Sequence, residues 1–218
     1  AGRLELSREP VDPCELARGV VRLLSGQAAH KGLELILDLP EDLGWIETDP
    51  TRVRQALFNL VGNAVKFTLK GSVTIRGRCK ATDDGPRLVF DVIDTGVGVP
   101  LDAQDRLFER FKQADASTTR RFGGSGLGLS ITRELARMLG GEVSFQSIPG
   151  AGSTFSLSIA APIVAAPLIR QSEPSDLLEG VRVLVVEDNS TNQIVARRLL
   201  EQLGACVSVA DDGASGVR

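Results

Sequence analysis

The chain has 218 residues, 42% of them apolar and 24% charged, with 23 Gly and 10 Pro. That length allows one domain with an attachment or two small ones, and the near-average apolar content excludes global disorder, collagen and a disulfide-built miniprotein. Twenty-five basic against 28 acidic side chains leave a net charge of −3, so no basic field exists to attract nucleic acid.

Asp12-Pro13 signals the start of a helix, a capping carboxylate followed by Pro at the first helical position. This helix is expected to bury Leu16, Val20, Leu23 and Leu24 and to stop at Gly32, with His30 and Lys31 meeting the negative end of its dipole. Residues 33–39 alternate like a strand, and Asp49-Pro50 repeats the start signal for a second helix running to about Thr68. Strands at 72–80 and 87–94 are joined by the turn Asp83-Asp84-Gly85-Pro86. Val99-Pro100 leads into a short helix ending near Phe108, followed by a long polar loop over 109–125. A helix over 127–139 closes at Gly140-Gly141, and strands 142–146 and 153–160 make a hairpin around Pro149-Gly150-Ala151-Gly152. Residues 1–160 thus read as an α+β sandwich with a mostly antiparallel sheet.

Pro, Ala, Ser and Glu dominate from Ala161 to Glu179, the composition of a linker. A second unit, 180–218, opens on the apolar run 181–186, patterned like a buried parallel strand, then a helix over 190–203 and a strand over 206–210. It is an α/β fragment too short to close a core of its own. The three cysteines, Cys14, Cys79 and Cys206, are far apart and odd in number, which points to reduced, mostly buried thiols in a cytoplasmic compartment. The longest apolar stretch, 160–169, holds Pro162 and Pro167 and is too short to cross a bilayer. No secretory signal pattern opens the chain. The expectation is a cytoplasmic domain whose parent protein is compatible with a membrane anchor.

Three constellations carry chemistry. Asn59, Asn63 and Lys66 stand at i, i+4 and i+7 of the second helix and share one narrow stripe, while Val53, Leu57, Leu60, Val61 and Ala64 form the expected core face. The stripe fits either a solvated polar face or a site for a metal ion and a phosphate, since amide oxygens suit Mg²⁺ and an ammonium answers phosphate charge. Asp94-Thr95-Gly96-Val97-Gly98 follows a strand. It fits either a tight turn or a pocket in which the carboxylate accepts from an exocyclic amine such as that of adenine. A dinucleotide fingerprint does not fit, because no third Gly follows at the needed spacing and Pro100 interrupts the helix entry. Gly123-Gly124-Ser125-Gly126-Leu127-Gly128-Leu129 opens a helix, where free N–H groups and the positive dipole end suit phosphate; without Gly-Lys-Ser/Thr it is no Walker loop.

In order, Asn-x3-Asn-x2-Lys, Asp-x-Gly-x-Gly, Phe108-Glu-Arg-Phe111 and the glycine-rich run resemble the catalytic ATP-binding domain of sensor histidine kinases. These belong to the GHKL family with Hsp90, DNA gyrase B and MutL, and the likeness covers about residues 1–160. The resemblance implies a two-layer α/β sandwich of the Bergerat type with ATP and Mg²⁺ as cofactors. By matching position, Asn59 lines the triphosphate pocket and Asn63 is the Mg²⁺ ligand. Lys66 touches phosphate, so that Asn59 and Lys66 carry catalysis, and Phe67 packs on the nucleoside. Asp94 accepts from the adenine amino group above a floor shaped by Gly96 and Gly98. Phe108 and Phe111 anchor an ATP lid over 109–125, Gly124, Ser125, Gly126, Leu127 and Gly128 wrap the phosphates, and Thr154 helps to fix adenine. Ser125 stands where relatives often have Thr and keeps the hydroxyl. Gln113 stands where some have Arg, leaving Lys112, Arg120 or Arg121 as the lid cation.

The run 183–189 followed by an amphipathic helix resembles the start of a response-regulator receiver domain, of flavodoxin-like fold. There the acidic pair, here Glu187 and Asp188, holds Mg²⁺ beside a phospho-accepting Asp on a third strand. Asp211 and Asp212 match a surface turn instead. Together the two likenesses imply a hybrid histidine kinase: catalytic domain 1–160, linker 161–179 and the N-terminal part of a receiver, 180–218. Such an enzyme passes the ATP γ-phosphoryl to a histidine on an upstream dimerising helical hairpin, as a homodimer, with a receiver or downstream phosphotransfer protein as the next partner. Arg3-Leu-Glu-Leu6 resembles the strand just after that hairpin, and His30, without an acidic neighbour, is expected to be a surface or cap residue. Two other readings remain at this point. One is a different ATPase of the family, which would place a glutamate base where Asn59 stands; the other is a non-catalytic nucleotide-binding regulatory module.

Overall fold

In the computed structural model, which describes residues 6–109, 128–167 and 178–213, two aspartates start the two long helices. The Asp12 carboxylate accepts from the Cys14 N–H at 2.8 Å ahead of α1 (Pro13–His30), and that of Asp49 accepts from the Arg52 N–H at 3.0 Å ahead of α2 (Pro50–Phe67). Each occupies an N–H group that has no partner within its helix. The chain divides into two compact units, Ala1–Ala166 and Pro167–Arg218.

The first unit is built on a five-stranded sheet of β2 (Glu34–Asp38), β4 (Ser72–Thr82), β5 (Gly85–Asp94), β6 (Glu142–Ile148) and β7 (Gly152–Ala160), ordered β2-β4-β5-β7-β6. Only the β2–β4 pair is parallel, so the sheet is mostly antiparallel, as expected. Successive residues alternate between its faces. Val73, Ile75, Leu88, Phe90, Val92, Phe155, Leu157 and Ile159 share the face packed on α1, α2 and α4 (Gly128–Met138). The other face carries Arg76, Arg78, Asp91, Thr154 and Ser156, where Asp91 pairs with Arg78 and accepts from the Ser156 hydroxyl at 2.6 Å. The result is a two-layer α+β sandwich.

Several local expectations need correction. Leu23 falls at the edge of the stripe set by Val20, Leu24 and Ala28 and is 62% exposed. The short helix α3 (Leu101–Gln104) stops well before Phe108, because i→i+3 bonds from the Arg106 and Leu107 N–H groups tighten the chain into turns. Three strands too short to show a period, β1 (Glu9–Val11), β3 (Trp45–Thr48) and β8 (Ile163–Val164), form a second, antiparallel sheet in the order β1-β3-β8. Ile163 and Val164 pair with Ile46 and Trp45, so the segment read as a linker begins with residues built into the first unit. Of the three thiols only Cys14 is buried; Cys79 and Cys206 are exposed.

The second unit consists of β9 (Arg182–Val186), α5 (Ser190–Gln202) and β10 (Cys206–Ala210), the two strands parallel with Val183 opposite Val207. Its first strand is not buried on both faces as its apolar run suggested, for Leu184 and Val186 are each 48% exposed. One helix and two strands cover only one side. No helix among the described residues is long and apolar enough to cross a membrane.

Candidate functional site: the polar stripe of the second helix

Helix α2 buries Val53, Ala56, Leu57, Leu60, Val61 and Ala64 and leaves Asn59, Asn63 and Lys66 half-buried on another side. Asn59 is tied to α4. Its amide nitrogen donates to the Thr132 hydroxyl at 2.6 Å, and that hydroxyl donates to the Gly128 carbonyl at 2.9 Å. Thr132 is fully buried, and a Cβ on Gly128 would lie 2.5 Å from the Asn59 amide oxygen. A larger residue at the first position of α4 would force the Asn59 amide, held by Thr132, to move. The end of the glycine-rich run is thereby brought to the first residue of the polar stripe.

The opposite end of the stripe meets the Asp94 loop through the last carbonyls of α2. These lack intrahelical partners, and each of the four is taken up. Thr68 donates to the Ala64 carbonyl through its N–H at 3.0 Å and its hydroxyl at 2.7 Å. The Lys31 ammonium donates to the carbonyls of Val65 and Lys66, both at 2.7 Å. The Val97 N–H donates to the Phe67 carbonyl at 3.4 Å. Lys31 was expected to serve the end of its own helix; it serves the end of the next one, a pairing across 35 residues that no local pattern reveals. Lys66 holds its ammonium 4.9 Å from the centre of the half-buried Phe67 ring.

Asp94 is buried at the end of β5 and accepts from the Gly96 N–H at 2.8 Å. Burial raises its carboxyl above the ordinary carboxylate range, opposed by the N–H groups of Gly96 and Ser153. The glycines of this loop permit contacts between chain segments. A Cβ at Gly96 would stand 2.7 Å from the Phe67 carbonyl oxygen, and one at Gly98, whose φ is +66°, would strike the Ile148 carbonyl. The Gly150 N–H closes this contact with a 2.8 Å bond to the Val97 carbonyl.

Thr154 does not face Asp94. It pairs with Ile93 and stands on the other side of the sheet, whereas Ser153 pairs with Asp94 and is buried on its side. The Ser153 and Ser147 hydroxyls are 2.9 Å apart, and Ser147 accepts from the Val99 N–H at 2.8 Å. Strand alternation counted back from Phe155 would have selected Ser153 from the sequence. Phe108 packs edge-on against Phe145 at 5.8 Å, with the Arg133 guanidinium 5.6 Å from its ring centre, and Phe145 stacks on Phe155. Phe111, Lys112, Gln113, Arg120, Arg121, Gly124, Ser125, Gly126 and Leu127 lie outside the described residues, as does the expected lid beyond Glu109.

In the second unit Glu187 accepts from the Asn192 amide at 3.1 Å and the Asn189 N–H at 3.2 Å, which hold its carboxyl below the usual range. Asp188 is exposed beside it, and Gln193 bridges the Glu187 carbonyl and Asp211. Among the described residues no three His, Cys, Asp or Glu side chains gather into a metal cage. The donors on α2 are neutral amides, too few to hold a divalent cation alone but suited to one carried in on phosphate oxygens.

A family model described as histidine kinase-, DNA gyrase B-, and HSP90-like ATPase matches residues 48–163. The chain is 41% identical over 217 residues to the aerobic respiration control sensor protein ArcB of Escherichia coli K12, covering 97% of this chain and 27% of ArcB. It is 40% identical over 192 residues to the signal transduction histidine-protein kinase BarA of the same strain, covering 87% of this chain and 21% of BarA. The chain therefore spans about a quarter of the length of these curated relatives. The crystal structure of full-length ShkA in complex with AMPPNP matches with a TM-score of 0.66 and 38% identity, over 100% of this chain and 43% of ShkA.

Proposed function

Because the chain belongs to the histidine kinase-, DNA gyrase B-, and HSP90-like ATPases, we propose that it is the ATP-binding catalytic part of a hybrid sensor histidine kinase. In this reading residues 1–160 form the catalytic domain, and 180–218 begin a receiver after a linker. The supporting observation is the convergence on α2: Gly128 abuts Asn59 at one end of the polar stripe, and the Asp94 loop is bonded to Phe67 at the other. That ShkA was crystallised with AMPPNP agrees with a nucleotide as the ligand of this fold.

Asp94 accepts from the adenine amino group, and Phe67 packs on the nucleoside. Asn59 and Asn63 face the triphosphate, with Asn63 the residue that would hold magnesium; that ion supplies charge neutralisation on the phosphate oxygens. Lys66 adds a second counter-charge. The acceptor is a histidine on an upstream dimerising helical hairpin. Its ring nitrogen attacks the γ-phosphorus in line, the bond to the β–γ bridging oxygen breaks, and ADP leaves. The domain contributes positioning and electrostatics rather than a covalent step. Asn59 cannot accept a proton from water, which favours transfer to histidine over hydrolysis. A receiver or a downstream phosphotransfer protein takes the phosphoryl group next. Glu187 and Asp188 are the candidates for the receiver's magnesium.

Titration with AMPPNP and magnesium tests this reading. The chain is expected to bind, and Asn63→Ala to weaken magnesium-dependent binding about tenfold or more, as loss of a ligand to a charged group implies. Unchanged affinity in the variant removes Asn63 from the site. Formation of phosphohistidine on the hairpin supplied in trans tests the transfer itself, and its absence with bound ATP favours a regulatory nucleotide-binding module.

A further inference from the structure

We propose that Lys31, which lies outside the span matched by the family model, is a positioning residue for Lys66, the side chain read as the phosphate counter-charge of the nucleotide site. The inference rests on the nucleotide-binding reading above and extends it to a residue of another helix. A helix ends with its negative pole, where unpaired carbonyls repel an anion. Asn63 and Lys66 occupy the last turns of α2, so a triphosphate held by them would lie beside the unfavourable end of that helix.

Lys31 changes this. It is the residue that follows α1, and its ammonium reaches the Val65 and Lys66 carbonyls at 2.7 Å each and the Thr68 carbonyl at 3.4 Å. One cation thus caps three carbonyls at the negative pole, including that of Lys66, the residue read as the phosphate counter-charge. It places a second positive charge at this helix end. Partial desolvation lowers the Lys31 ammonium below its ordinary range, and the like charge of Lys66 adds to the effect. The remaining carbonyl of the turn, that of Phe67, is held by Val97. Lys31 therefore fixes the backbone from which Lys66 extends, while the Asp94 loop fixes the neighbouring nucleoside end.

The two roles separate by ligand. If Lys31 only stiffened the helix end, its loss would weaken adenosine and the triphosphate alike. If it prepares the helix end for polyphosphate, the loss grows with phosphate charge. The test titrates the full chain and its Lys31→Met variant with AMPPNP and magnesium, and measures adenosine by competition, well below the melting temperature of each protein. We expect AMPPNP binding to weaken about two- to tenfold, adenosine to shift by less than about twofold, and Lys31→Arg to restore the parent affinity. Lys31→Gln carries the same comparison if the Met variant fails to fold. Equal losses for both ligands overturn the proposal, as does unchanged AMPPNP affinity in a chain that binds it. If the unsubstituted chain binds no nucleotide, the reading of the site fails and the role of Lys31 falls with it.

Discussion

The two units show what a second layer does for the same kind of apolar strand. In the first, α1, α2 and α4 cover one face of the five-stranded sheet, and Leu57, Phe90, Leu157 and Ile159 lose all their exposure. In the second, one helix covers two parallel strands, and Leu184, Val186, Ile194, Val195 and Leu199 remain about half exposed. An apolar run states that a strand prefers burial. Whether it is buried depends on a facing layer, which the strand itself cannot supply.

Core truncation gives the widest expected separation between the units. Leu57→Ala should cost about 3–5 kcal/mol, the transfer and cavity terms of a buried leucine. The fluorescence of Trp45, the one tryptophan of the chain and a residue of β3, reports unfolding of the first unit in denaturant. Leu199→Ala in the second unit should stay within about 0.5 kcal/mol, followed by circular dichroism. Comparable losses would mean that Leu199 is covered in solution.

Asp94→Asn sharpens the contrast from the side of function. It should weaken AMPPNP binding about tenfold or more, because a hydrogen bond to a charged acceptor is lost, while Glu187→Gln in the second unit should leave that affinity unchanged. The stability effect has the opposite sign. The folded carboxyl titrates above its unfolded value, so its contribution is fully present below the unfolded value and is lost as pH rises through the folded one. Relative to Asp94→Asn, the ligand-free chain should therefore lose stability as pH rises from the acid range toward neutrality, as melting curves would record. A difference that grows in the other direction contradicts burial as the dominant influence on this group.

The smallest effects concern neighbouring hydroxyls. Ser153→Ala should weaken AMPPNP binding by a few-fold, on the order of one neutral hydrogen bond, and Thr154→Val should not. Equal effects from the two substitutions would contradict the assignment of Ser153 to the Asp94 side of β7.

Much of this was legible in the chain. Asp12-Pro13 and Asp49-Pro50 start their helices because a capping carboxylate and a prolyl φ act within a few residues. The separation of Asn59, Asn63 and Lys66 from the buried face of α2 follows from 3.6 residues per turn. The order of Asn, Asp and Gly motifs is carried by the linear sequence, and the family match over residues 48–163 spans all three. The strands β1, β3 and β8 were not legible, since segments of two to four residues have no period to read. Leu23 was misjudged because helical spacing identifies a stripe but not how wide the cover over it is.

The sequence by itself determined where the two long helices begin, which side of α2 is apolar, and which polar side chains share its other side. Those properties arise from neighbours a few residues apart. The tertiary structure alone decided that Lys31 caps α2, that Gly128 admits Asn59, and that Ser153 rather than Thr154 stands beside Asp94. Each joins segments distant along the chain, and their partners are set by the register of the sheet and the packing of helices upon it.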